Sequence, residues 1–265
     1  MNILIDEIDF PEGPAFDRHG NIWLVEKQAG NLIRYKAGLY ERISVDGHPN
    51  GIAIAPDQTV WFCDALQNSI RRYSPTTNTC DTIANELEGK PLKMPNDLCF
   101  DTAGNLLFTC PGSELTDGTG YVCCLQTNGR LRIVYQNMYY PNGLAFAPKS
   151  NNLFIAETGS KWIWKMEWNI NTRKMESPEK FAPAGGKIGP DGLAFDEAGN
   201  LLIAIYGSQH ILLLNPANKT TEKLMTPGHN PTNCALDPSG ELGLIVTEAE
   251  KGQLLQLNYT KKGIL

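Results

Sequence analysis

The sequence predicts an all-β fold, a six-bladed β-propeller with four antiparallel strands per blade. Three observations carry that expectation. A short pattern is written six times, its copies are spaced like propeller blades, and the residues between them lack a 3.6-residue period. The fullest copy is Tyr140-Pro141-Asn142-Gly143, an apolar run to Phe146, then Asn152 to Glu157. It has the form of a tight turn, a short strand, a polar hairpin and a second strand ending in a carboxylate. The other copies start at Pro11-Glu12-Gly13, Pro49-Asn50-Gly51, Pro95-Asn96-Asp97, Pro190-Asp191-Gly192 and Pro231-Thr232-Asn233. The variable middle residue falls at 12, 50, 96, 142, 191 and 232, so its spacing is 38, 46, 46, 49 and 41. Propeller blades take about 40–50 residues each. Six such units fill a chain of 265 residues and leave no room for a seventh. Because each blade packs on its neighbours, residues 1–265 are expected to form one domain.

Blade 1 shows the expected layout. Its innermost strand is Pro14 to Asp17, followed by Asn21 to Glu26, Asn31 to Tyr35 and Tyr40 to Val45. Asp-x-x-Gly pieces at 17–20, 101–104, 196–199 and 237–240 join innermost to second strands, and hairpin chemistry explains their carboxylates. Blade 6 runs from Asn233 to about Tyr259 and lacks an outer strand. The segment Asn2 to Asp9 has no blade of its own, so it is expected to supply that strand and close the ring. In this geometry the variable residues ring the channel on one rim. The ends of the second strands share that rim: Glu26, Asp64, Cys110, Glu157, Ile205 and Glu248.

Composition narrows the partners. A net charge of −6 with no basic run excludes sequence-independent nucleic-acid binding, which needs a basic stripe. The first residues lack the basic start and apolar core of a secretory signal. Nowhere do about 18 apolar residues run together, so no membrane span is expected. The seven cysteines are odd in number and none lies in a Cys-x-x-Cys pair, which fits a reduced, cytoplasmic setting. Cys123 and Cys124, neighbours on one strand, are expected to be packing residues. Monomer and dimer both remain open.

Asn and Asp are ordinary turn formers, but Glu has no such preference, so Glu12 stands out among the variable residues. Around one axis Glu12, Asn142 and Asp191 bring two carboxylates and an amide oxygen towards a common point, with Asn96 close by. Hard oxygen donors without His or Cys suit a divalent cation such as Ca²⁺ or Mg²⁺. Facing carboxylates would otherwise repel each other.

These motifs carry a resemblance. Pro11-Glu12-Gly13-Pro14, Pro95-Asn96-Asp97-Leu98, Asn142 to Phe146, Asp191-Gly192 and Pro231 to Cys234 resemble the senescence marker protein, gluconolactonase and luciferin-regenerating enzyme family over essentially the whole chain. The resemblance implies that Glu12, Asn142 and Asp191 bind one divalent ion, with Asn96 beside it facing water or substrate. Calcium is the expected ion, with Mg²⁺, Mn²⁺ or Zn²⁺ as alternatives. It also implies a metal-dependent lactonase acting on a small sugar lactone. Hydrolysis of other esters or organophosphates in the same site, and a non-catalytic binding platform, are the alternatives. Two positions depart from relatives: Cys110 where many have Asp, and Met94 where some have Arg. Both changes are expected to make the pocket less polar.

In the expected mechanism Asp191 takes the proton of the attacking water, because a monodentate ligand keeps one oxygen free. Glu12 is the purer ligand, and Asn96 orients water or carbonyl. Further substrate contacts are expected from Glu114, Glu157, Tyr206 and His229. Glu248 and His210 are weaker candidates. The loop from Cys110 to Gly120 is expected to act as a partial lid. No Gly-x-Ser-x-Gly nucleophile elbow occurs.

Overall fold

A computed structural model describes residues 1–264. Six four-stranded antiparallel sheets form the blades. Five are built from consecutive strands, with innermost strands Pro11–Phe16, Pro49–Ile54, Leu98–Phe100, Pro141–Phe146 and Gly189–Phe195. The sixth contains Pro231–Leu236, Leu244–Glu248 and Gln253–Leu257, and its outer strand is Asn2–Ile5 from the N-terminus. That strand pairs Asn2 with Gln256 and Ile3 with Leu255. The expected closure is thus present, though the strand spans four residues of the segment 2–9. Ile8 extends the seam by donating its N–H to Gly252 O. Each innermost strand touches the next around the circle, and the sixth touches the first.

The core follows from this ring. Six apolar clusters each occupy one gap between neighbouring sheets. Strands buried on both faces need apolar side chains at successive positions, and Ile22–Val25 and Leu201–Ile205 supply them. All seven cysteines are free thiols, and Cys63, Cys110, Cys123, Cys124 and Cys234 are buried. A small hairpin, Glu86–Leu87 with Lys90–Pro91, precedes blade 3.

One local expectation is corrected. The variable residues of five blades lie inside the innermost strands, at bulges, rather than in turns before them. In blade 3 the strand proper begins at Leu98. The bulge follows from close approach near the axis. A Cβ on Gly143 would lie 2.7 Å from Gly192 Cα and 2.8 Å from Leu193 N. Gly13 is constrained twice, by similar crowding against blade 2 and by a φ of +52°.

Threonine hydroxyls tie neighbouring blades where these strands meet. Thr109 donates to Asn142 O at 2.8 Å, Thr158 to Pro190 O at 2.7 Å and Thr232 to Pro11 O at 2.8 Å. The Asp-x-x-Gly carboxylates serve structure on the opposite rim. Asp17 accepts from His19 N, Asn21 N and Trp23 Nε1, and Asp101 accepts Trp168 Nε1 of the next blade. No helix among the described residues is long and apolar enough to cross a membrane.

Candidate metal centre and active site

The bulges bring Glu12, Asn142 and Asp191, and the segment before Leu98 brings Asn96, to the floor of a cavity of about 370 Å³ at one mouth of the channel. Thr158 joins them there. The walls are Phe10, Leu115, Tyr140, Ile188 and Tyr206, while Lys27, Ser113 and Glu114 form a polar edge. The other two variable residues do not take part. Thr232 is spent on an inter-blade bond, and Asn50 is buried with its side-chain oxygen unpaired. A larger cavity opens at the opposite mouth, lined mainly by apolar residues such as Phe16, Ile52, Phe146 and Leu236. Its one charged side chain, Arg18, is bonded to Pro56 O, so it offers no acid–base pair.

The floor is electrostatically incomplete. Glu12 and Asp191 are buried, yet neither has a basic side chain within 4.0 Å among the described residues. Glu12 accepts one weak bond, from Gly13 N at 3.3 Å. Burial raises the Glu12 pKa to about 7, with Lys27 and the Gly13 amide opposing the rise. Asp191 is pushed well above its ordinary value by burial and then by the charge of Glu12. Asp97, beneath them, is raised to about 7, first by burial. Among the described residues the one side chain bonded to its carboxylate is Asn233, through Nδ2 at 3.3 Å.

The donor set fits a hard dication. Asn142 donates Nδ2–H to Thr158 Oγ1 at 3.3 Å, while the Thr158 hydroxyl proton goes to Pro190 O. Thr158 can then only accept from Asn142, which fixes the amide so that Oδ1 is left as the free acceptor. Two buried carboxylates without a directly paired base, beside one oriented amide oxygen, suit Ca²⁺-type coordination from separate segments.

The remaining expected residues divide. Glu114 and Tyr206 line the cavity, but Glu157 and His229 do not. Glu157 is buried and accepts Tyr139 N at 2.9 Å and the Ser160 hydroxyl. The corresponding acids do the same work: Glu26 accepts Asp9 N, Asp64 accepts His48 N and Glu248 accepts Asn230 N. Each latches the segment one or two residues before the motif proline. His229 is exposed and paired with Glu250 at 2.9 Å. His210 is buried, with Nδ1 2.6 Å from Ser208 O, and stays out of the cavity.

The expected effect of Cys110 and Met94 on pocket polarity is also corrected. Cys110 points into the core between blades 2 and 3, Met94 is exposed, and neither lines the cavity.

Sequence reasoning missed Phe10, Lys27 and Ile188, and gave no weight to Tyr140. Two of them had a visible signal, since Phe10 and Tyr140 each precede a motif proline. Both are in the left-handed region, with φ of 61° and 58°. Bulky side chains rarely adopt it, and such strain concentrates at functional sites.

The diisopropyl-fluorophosphatase of Loligo vulgaris is 27% identical over 97% of this chain and 91% of its own length. The gluconolactonase of Zymomonas mobilis is 24% identical over 91% of this chain and 77% of its own. Among solved structures, regucalcin of Agrobacterium tumefaciens, described as a calcium-binding protein, superposes with a TM-score of 0.86. That match, at 19% identity, covers 99% of this chain and 95% of that one. Residues 10–250 match the SMP-30/Gluconolactonase/LRE-like region, and the chain belongs to that family.

Proposed function

We propose that this protein is a metal-dependent hydrolase that opens the ring of a small sugar-type lactone in the cavity above Glu12, Asn142 and Asp191. The observation that carries the proposal is the pair of buried carboxylates with no basic side chain within 4.0 Å among the described residues, beside an oriented amide oxygen. Glu12, Asn142 and Asp191 would hold the ion, with calcium favoured by the hard oxygen donors. When bound, it would supply Lewis-acid polarisation of the ester carbonyl.

The chain's own residues supply the rest. Asp191 keeps one carboxylate oxygen free to take the proton of the attacking water. Asn96, on the same floor, orients water or carbonyl. Tyr140 and Tyr206 have phenols raised first by burial, then by Asp191, so they remain neutral hydrogen-bond donors. Phe10, Leu115 and Ile188 make one side of the cavity apolar.

A second reading keeps the site and changes the substrate to another ester or an organophosphate. The diisopropyl-fluorophosphatase relative and the apolar wall favour it. A lactone panel followed by proton release, with and without a chelator, tests both. Lactone turnover that stops on chelation is the expected result. Metal-dependent cleavage of a phosphotriester with every lactone inert selects the second reading, and indifference to metal selects a non-catalytic platform. A cytoplasmic site of action is part of the same proposal, suited to seven free thiols.

A further inference from the structure

We propose that Lys27 makes this cavity select a substrate with a second, anionic group, a carboxylate or a phosphate, at the end remote from the ester. The inference rests on the hydrolase reading above and names the substrate class for the same site. Lys27 is the one basic side chain among the residues that line the cavity. It follows Glu26 at the end of a second strand, whose carboxylate is clamped by Arg42.

Its position is built rather than incidental. Lys27 donates its backbone N–H to Phe10 O at 3.1 Å. Its ammonium lies 5.1 Å from the centre of the Phe10 ring, a cation–π contact that holds the charge on the cavity side. The residue is half-buried, and no carboxylate lies within 4.0 Å of Nζ among the described residues. Glu114, across the mouth on the 110–120 loop, is exposed and does not pair with it.

Charge matching then points to the ligand. The carboxylates nearest in the site, Glu12 and Asp191, both feel Lys27. Once they are matched by a divalent ion, they no longer offset the ammonium. A positive charge against an aromatic wall is left without a partner, and burying it further under a neutral substrate is unfavourable. An anionic substituent satisfies it. The wall of Phe10, Leu115 and Ile188 lies beside these two polar ends. A substrate held at both ends is also fixed in orientation, which raises the rate of attack at the ester.

The test compares three open-chain acids in the presence of Ca²⁺: gluconate, glucarate with a second carboxylate, and 6-phosphogluconate with a phosphate. Binding is measured by calorimetry and by thermal shift, on the wild type, Lys27→Met and Lys27→Arg. The expected result is binding of glucarate or 6-phosphogluconate about 10- to 100-fold tighter than gluconate, the range of one charged hydrogen bond. The tighter of the two identifies the anion. Lys27→Met removes the preference and Lys27→Arg retains most of it, which also guards against a misfolded variant. Equal binding of all three, no binding of any, or a preference that survives Lys27→Met overturns the inference. The corresponding lactones are then assayed. A Lys27-dependent preference with all lactones inert sinks the hydrolase reading alone. Lactone turnover without the preference sinks this inference alone.

Discussion

Asp191 is the residue on which most of the chemistry converges. It is buried, it faces Glu12, and no basic side chain within 4.0 Å offsets its charge among the described residues. Replacing it with Asn keeps the shape and removes the proton acceptor. Asp191→Asn is expected to lower kcat by about 10²- to 10⁴-fold, the usual range for loss of a general base. Full turnover in a variant that still binds metal by calorimetry would show that the base is elsewhere. The acidity of the floor makes a second statement. Glu12 and Asp97 rise from ordinary values of 4.5 and 3.8 to about 7, so the folded, metal-free protein binds their protons more tightly than the unfolded chain. Between about pH 4 and 7 the native state then holds more protons, and stability falls as pH rises. The slope is at most about 1.4 kcal/mol per pH unit for each group, and the contributions of Glu12 and Asp97 level off above about pH 7, while Asp191, also raised, acts with the same sign. Carboxylates held below their ordinary values, such as Asp17 and Asp237, act at lower pH with the opposite sign. Urea titrations in a chelator at pH 5 and 7.5 measure this directly; a more stable protein at pH 7.5 contradicts it. Metal affinity is expected to change the other way and strengthen through the same window.

At the scale of the strand, the bulges decide which side chains meet. Alternation and turn chemistry made the strands legible, and the six-fold motif gave their order. They did not reveal that Pro-x-Gly lies within the innermost strand, because crowding between neighbouring strands is set by the ring. Gly143 tests that crowding. Its φ is not in the left-handed region, so Gly143→Ala meets blade 5 by steric contact alone. A loss of about 1–3 kcal/mol is expected from overpacking, read from denaturant midpoints, with weakened metal binding because Asp191 and Asn142 shift apart. An unchanged midpoint would mean that the two blades separate freely. The second strands teach a related lesson. Glu157 and Glu248 sit on the functional rim as their positions imply, yet their carboxylates turn to backbone amides of the adjoining loops. A carboxylate at a strand end is visible in sequence, whereas the N–H that captures it belongs to a segment 18 residues away in both cases. Lys27 was illegible for the same reason, since only folding sets it against Phe10.

For the whole molecule, closure matters most. The first strand pairs with the last, so that Asn2 meets Gln256, 254 residues further along the chain. Deleting residues 1–9 removes that pairing together with Ile5 and Ile8 from the cluster between blades 6 and 1. The truncated chain is expected to melt well below the parent and over a broader range, by circular dichroism. An unchanged melting temperature would show that the sixth blade holds with three strands. The architecture was readable because a repeat reports its own number. The four variable residues that share the cavity were legible too, through the out-of-place Glu12 and the resemblance, whereas the aromatic and basic wall around them was not, because it comes from residues outside the repeat's variable position. The same seam bears on biosynthesis. Asn2–Ile5 is synthesised ahead of its partner Gln253–Leu257, which follows about 250 residues later. At about 5–20 residues per second, translation leaves the leading strand unmatched for tens of seconds. During that interval the sixth sheet alone lacks its outer strand, since the other five are each complete within their own stretch of chain.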